Sequence, residues 1–190
     1  MMNEQVESTP EVGSARPRLR WGRILVWTGL LGLLALMAMG LLNTQRGPVL
    51  IGQNAPQFVL STFDGREINT QDLAGKVVVV NFWASWCKPC EQEAADLEAA
   101  WQIYAPTEQV VFLGVDYVDT EPEALGYLQK FNITYANGPD LRTRISQAYR
   151  IRGVPETYFI DRQGKLADVQ IGPFSNLAQI TGKIEPLLAP

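Results

Sequence analysis

Apolar positions along this chain fall into two regimes. Between Ile24 and Leu42 they form one run, ILVWTGLLGLLALMAMGLL, nineteen residues without a charge. As a helix rising about 1.5 Å per residue this run reaches about 28 Å, which matches the hydrocarbon core of a bilayer. From Gln57 onward, short runs of strand length alternate with helical spacing. QFVLSTFDGREI reads as a hairpin turning at Asp64-Gly65. KVVVVNFW, from Lys76 to Trp83, and QVVFLGV, from Gln109 to Val115, are β-branched runs of the kind that fill strands buried on both faces. ETYFID and KLADVQI, joined by the turn RQG, predict two further strands. A helix is predicted after Cys87, where Ala94, Leu97, Trp101 and Tyr104 recur at three- and four-residue spacing. Others are predicted over EPEALGYLQKF, opened by a capping box of Thr120 and Glu123, over RTRISQAYR, and over NLAQITGKIEPLL with Ser175 as its cap. Strands alternating with helices imply a partly parallel sheet covered on both sides, with reactive groups where a central strand ends and a helix begins.

Four arginines, Arg16, Arg18, Arg20 and Arg23, precede the long apolar run, and only Arg46 follows it closely. By the positive-inside bias the N-terminus lies in the cytoplasm and the C-terminal part on the extracytoplasmic, periplasmic side. The competing reading is a cleaved signal peptide, whose apolar region is usually about 7 to 15 residues long and ends at small residues. Leu41 and Leu42 carry the run past Ala38 and Gly40, which favours a single-pass anchor; both readings deliver the domain to the same compartment. No cysteine lies near the segment to carry a lipid. The chain thus divides into a polar, disordered cytoplasmic tail over 1–20, a transmembrane anchor over 24–42, a tether over 43–56 and one folded domain over 57–190.

Composition narrows the chemistry. The net charge is −4, and residues 1–42 carry four Arg and three Glu, so about −5 falls on the remainder. An acidic body argues against nucleic acid as partner. Histidine is absent, which rules out Ser-His and Cys-His catalytic pairs and removes the commonest metal ligand. Two cysteines alone cannot close a four-ligand structural zinc site, so no metal is expected.

What remains is the pair itself, Cys87 and Cys90, in NFWASWCKPCEQEAADLE. Cys87 falls at a helix start, where unpaired backbone N–H groups and the positive dipole end favour a thiolate, and Lys88 adds a cation. Such settings lower a thiol pKa from about 8.5 into a range of roughly 3.5 to 7.5. Cys90, four residues before Ala94, lies on the inward face. One exposed, acidified sulfur above one shielded partner is the arrangement disulfide exchange requires. Cys87 attacks a partner disulfide, and Cys90 then attacks Cys87 to release the reduced partner. An inert bridge would contribute little, because a loop over two residues constrains the unfolded chain weakly. Glu93, three residues after Cys90, shares its helix face; a partly desolvated carboxyl there has a raised pKa and can accept the Cys90 proton, or it simply favours the helix dipole. Trp83 and Trp86 read as packing and motif shielding.

NFWASWCKPC together with GVPETYFID resembles the thioredoxin fold, and within it the membrane-tethered thiol-disulfide oxidoreductases of the TlpA/ResA type and their relatives in cytochrome c maturation. The likeness covers roughly residues 50 to 190. It implies an α/β, thioredoxin-like three-layer fold with a central mixed sheet. It also implies an extracytoplasmic reductase of protein disulfides, acting on apocytochrome c or assembly factors, fed by a membrane electron donor and needing no cofactor. By the same resemblance Glu93 matches the acidic residue after the motif, and Pro155 is cis and faces the cysteines. Val154 and Pro155, with Trp86, Lys88 and Pro89 at the motif, form the surface that binds substrate, and Glu156 steers its choice unless it is a solvated strand-end residue. Asn81 departs from cytosolic thioredoxins, which carry a buried Asp six residues before the first cysteine. Asn cannot accept a proton, so Glu93 becomes the better base candidate. Rival readings are a disulfide oxidant of the same fold, a peroxidase, against which the adjacent Cys90 speaks, and a copper-delivery or silent binding module.

Overall fold

The computed structural model describes residues 21–44 and 50–189, in two compact units divided between Arg46 and Gly47. Among its described residues the first unit contains one helix, α1 (Trp21–Thr44). Among the described residues no helix is long and apolar enough to cross a membrane. The tail expected over 1–20 lies outside the described residues.

The second unit opens on the predicted hairpin, β1 (Val59–Ser61) and β2 (Glu67–Asn69), paired antiparallel around the Asp64-Gly65 turn. Then follow β3 (Val77–Trp83), α2 (Lys88–Tyr104), β4 (Val110–Asp116), α3 (Glu121–Lys130), β5 (Ala136–Pro139), α4 (Arg144–Tyr149), β6 (Glu156–Ile160), β7 (Leu166–Ile171) and α5 (Leu177–Leu188). The five-stranded sheet has the order β5-β4-β3-β6-β7, with β3, β4 and β5 parallel and β6 and β7 antiparallel to their neighbours. All seven residues of β3 are buried, as its unbroken β-branched run required. On one face Val77, Val79, Phe112 and Phe159 pack against Leu97 and Ala100 of α2 and Ile180 and Ile184 of α5. On the other, Val78, Val80, Phe82 and Leu113 pack against Ile145 and Tyr149 of α4 and Leu60 of the hairpin. These are the three layers of a thioredoxin-like α/β fold with a mixed sheet.

Three local expectations change. Of the tether expected over 43–56, residues 45–49 lie outside the described residues, but the end of the segment belongs to the domain. Gly52 N–H donates to Leu166 O at 2.7 Å, Leu166 N–H to Gln53 O at 2.8 Å and Ala55 N–H to Gly164 O at 2.9 Å. The start of β7 offers an open edge, and this segment covers it. The α5 cap is Asn176 rather than Ser175: the chain is extended at Asn176, and its Oδ1 accepts from Gln179 N–H at 3.1 Å. At α3 the Thr120 hydroxyl donates to Glu123 Oε2 at 2.8 Å and accepts no backbone N–H, so the expected capping box is not formed.

The strand with no sequence forecast is β5. Its residues, ANGP, carry turn signals, yet tertiary pairing with β4 overrides them. Gly138 is required there by proximity, since a Cβ at this position would sit 2.3 Å from the backbone oxygen of Ser61. Neither strand can yield, so Gly138→Ala should destabilise the domain by about 1–3 kcal/mol or more, the usual cost of overpacking. A urea midpoint unchanged from the wild type would show that the hairpin and β5 are not held this closely.

Candidate active site

Cys87 and Cys90 are joined as a disulfide at the point where β3 gives way to α2. The geometry follows from local sequence. Cys87 is the N-cap of α2, its backbone extended, and Cys90 N–H points at Cys87 Sγ at 3.2 Å. Pro89, in the first turn, costs nothing because N–H groups there have no intrahelical acceptor. The first-turn N–H and the helix dipole therefore stabilise negative charge on Cys87 once the bond opens.

The expected contrast of an exposed and a shielded sulfur is not present in this oxidised state. Cys87 is 4 % exposed and Cys90 1 %. The two pack together with Trp83, Ala84, Ala94, Ala124 and Tyr127, with Val154 laid against the cluster. What stands out in solvent is Trp86, 57 % exposed, its Nε1–H donating to Val118 O at 3.3 Å. Lys88, the expected activating cation, is ion-paired with Glu91 at 3.1 Å, and Glu91 also meets Lys130 at 3.2 Å. Trp83 is a packing residue as forecast: it stacks on Tyr127 at 4.4 Å and donates from Nε1 to Asn137 Oδ1 at 2.8 Å.

The Val154-Pro155 peptide bond is cis, and Pro155 is buried. Pro155 O accepts from Gly172 N–H at 2.9 Å. Among the described residues Val154 makes no backbone hydrogen bond, which leaves its N–H and C=O available to an extended segment beside the cysteines.

Behind the disulfide, Glu93 is buried on the same face of α2 as Cys90. Asn81 Nδ2 donates to Glu93 Oε1 at 2.9 Å and to Thr157 Oγ1 at 3.0 Å, while Phe174 N–H donates to Glu93 Oε2 at 2.9 Å. Burial pushes this carboxyl up to about 7; the bonds from Phe174 and Asn81 oppose the shift without cancelling it. Asn81 thus occupies the interior strand position as an amide that orients the carboxylate of Glu93.

Glu156 is not the solvated strand-end residue that one reading allowed, nor does it join the sulfur cluster. Neighbours on a strand alternate faces, so Thr157 turns toward Asn81 and α2 while Glu156 turns the other way. Buried there, its Oε1 accepts from Arg152 N–H at 2.7 Å and its Oε2 from the Tyr158 hydroxyl at 2.8 Å.

One family model matches residues 51–169, from the segment docked on β7 to β7 itself. The chain belongs to that family, AhpC/TSA. Within the AhpC/TSA family its likeness is to thiol-disulfide oxidoreductases. The ResA thiol-disulfide oxidoreductase of Geobacillus thermodenitrificans is 33% identical over 129 residues, 68% of this chain and 74% of the relative. The thioredoxin-like protein YneN of Bacillus subtilis is 34% identical over 122 residues, 64% and 71% of the two chains. Among solved structures, a putative thiol:disulfide interchange protein DsbE from Chlorobium tepidum superposes with a TM-score of 0.69 at 25% identity, covering 74% of this chain and 99% of that one. This AhpC/TSA protein is a thiol-disulfide oxidoreductase of the ResA/DsbE type, and Cys87–Cys90 is its disulfide.

Sequence reasoning passed over several residues that frame this site. Tyr127 donates its hydroxyl to Cys90 O at 2.9 Å. Asp119 Oδ2 accepts from Ser85 N–H at 2.6 Å, fastening the loop before Cys87. Gly114 leaves room for the Trp83–Asn137 bond, since a Cβ there would fall 1.6 Å from Asn137 Oδ1. A signal was legible for one neighbour only: VVFLGVD ends an otherwise apolar strand on a carboxylate, Asp116.

Proposed function

We propose that this oxidoreductase works as an extracytoplasmic reductase of protein disulfides, tethered to the membrane by its N-terminal segment and acting on cysteine pairs of the kind carried by apocytochrome c. The electrostatics of the sulfurs support the direction. A strong oxidant owes its potential to a well-stabilised thiolate in the reduced form. Here the cation next to the motif, Lys88, is engaged by Glu91, and buried carboxyl groups, Glu93 among them, lie behind the cysteines. Burial of the sulfurs, and Glu93 once it ionises, disfavour the thiolate, favour the disulfide, and so make the dithiol the electron donor. The tether is proposed from the sequence, on the uncharged run Ile24–Leu42 and the four arginines before that run. The buried, bond-saturated Glu156 lends no support to a substrate-steering role, so recognition falls to Trp86, Val154 and Pro155.

Equilibration of the full-length protein with glutathione tests the direction. A potential below about −200 mV, on the reducing side of the protein disulfide isomerase range, is expected. A value near the roughly −120 mV of DsbA would make the protein an oxidant. Reduction of a disulfide-closed peptide carrying the Cys-x-x-Cys-His haem-attachment sequence, but not of a scrambled control, is the matching result for the substrate. Recovery of the protein in the soluble fraction would remove the anchor.

A further inference from the structure

The first two β4 positions on the α2 side are apolar and the last is not. Val110 and Phe112 face α2 and α5, Gly114 faces Trp83, and Asp116 continues the same side, opposite Trp83 in the β3–β4 register. Asp116 is 1 % exposed, and among the described residues no donor gives a hydrogen bond to either of its carboxyl oxygens. A buried carboxylate in that position is strongly disfavoured. The group beside it within hydrogen-bonding reach is another carboxyl, Asp119, and two carboxyl groups can pair only when one of them keeps a proton.

Asp119 is itself committed. Its Oδ2 accepts from Ser85 N–H at 2.6 Å and its Oδ1 from Thr120 N–H at 2.8 Å, so both its oxygens serve as acceptors and the donor of the pair is Asp116. The short loop between these two residues is fastened to the loop that carries the cysteines. Tyr117 N–H donates to Trp83 O at 2.8 Å, and Val118 O accepts from Trp86 Nε1–H. Val118 has φ +51, a conformation β-branched residues adopt only when their surroundings hold them in it.

We propose that Asp116 is a positioning residue for the disulfide exchange: kept neutral in the interior, it donates its proton to Asp119 and so holds the 117–119 loop, and through Ser85 and Trp86 the segment leading into Cys87, in its working geometry. Ionisation of Asp116 sets a second negative charge against Asp119 and loosens that hold. Burial first, and the charge of Asp119 second, move its titration up to about 8. From β3 comes Trp83, which does not titrate. The Asp140 carboxylate, past the end of β5, is turned to Ile145 and Ser146 N–H. Tyr127 of α3 is pushed well above its usual value, chiefly by burial. In the oxidised protein the cysteines of α2 do not titrate at all.

The oxidised full-length protein separates this effect from thiol ionisation. In a pH series of ¹H–¹⁵N spectra, the Ser85 amide and Trp86 indole signals should shift with a midpoint near 8 in the wild type and lose that step in Asp116→Asn, whose amide donates to Asp119 at every pH. The rate at which dithiothreitol opens Cys87–Cys90, taken as the ratio of variant to wild type to cancel the reagent's ionisation, should change by about fivefold or more between pH 7 and 9, the low end of ordinary coupling between sites. Should Asp116→Asn fold poorly, Asp119→Asn keeps an oxygen for Ser85 while removing the like charge, and the step should move below 8. A wild type without a step near 8, signals that titrate identically in the variants, or a flat rate ratio would each overturn the proposal.

Discussion

Cys90→Ser should stop turnover with the substrate still attached through Cys87, whereas Cys87→Ser should form no adduct and lose activity by at least about 10³-fold, the scale on which loss of a covalent nucleophile is felt. Both sulfurs are buried in the disulfide, so exposure does not rank them; their positions on α2 do. Cys87 caps the helix with a backbone N–H aimed at its sulfur, next to exposed Trp86 and the unpaired backbone of Val154. Cys90 lies inside the first turn with its carbonyl held by Tyr127. Attack by Cys87 breaks the partner's S–S bond and expels one partner thiolate. Attack by Cys90 then breaks the mixed disulfide, restores Cys87–Cys90 and expels the second, so two electrons pass to the partner. Non-reducing electrophoresis with a disulfide substrate reads this out. Equal trapping by the two serine variants would reverse or dissolve the assignment of nucleophile and resolver.

The second large effect belongs to Glu93→Gln. Resolution of the adduct requires Cys90 to lose a proton, and Glu93, buried on the same helix face, is the carboxyl able to take it once ionised. The wild-type resolving rate should therefore rise with pH through about 7 and level off. The Gln variant should resolve about 10²-fold or more slowly at neutral pH and lose that rise, since general-base catalysis contributes roughly 10²–10⁴-fold. Decay of the mixed disulfide by stopped flow measures both, and superimposable pH profiles would reduce Glu93 to a structural carboxylate. Stability carries an independent signature. The folded carboxyl titrates at about 7 against 4.5 for the ordinary group, so between those values the folded state holds the extra proton. Its contribution to stability is greatest below 4.5 and falls as pH rises to 7. Gln at 93 should flatten that slope.

Much of this domain is written locally. The run VVVVNFW demands a strand buried on both faces, the cysteine pair and Pro89 open an amphipathic helix directly after it, and Asp64-Gly65 turns the first hairpin. Each depends on residues within one element of each other, and spacing reads such relations well. β5 escaped because ANGP has no strand signal of its own. It is a strand because β4 lies on one side and the hairpin, close enough to demand Gly138, on the other.

The chemistry divides along the same line. Two cysteines three apart at a strand-to-helix junction, with no histidine anywhere, are enough to name disulfide exchange and to exclude its main rivals. Which carboxyl groups stand behind the sulfurs is a matter of burial, which no window of sequence contains. Glu93 is poised because burial raises its carboxyl, while Asn81 from β3 and Phe174 from the segment before α5 converge on it, orient it and hold part of that shift back. Glu156, one residue past the cis proline, is turned to the other layer by strand alternation and consumed by Arg152 and Tyr158. Desolvation and long-range hydrogen bonds arise when distant segments close around a group, and for that reason they enter only with the packed sheet.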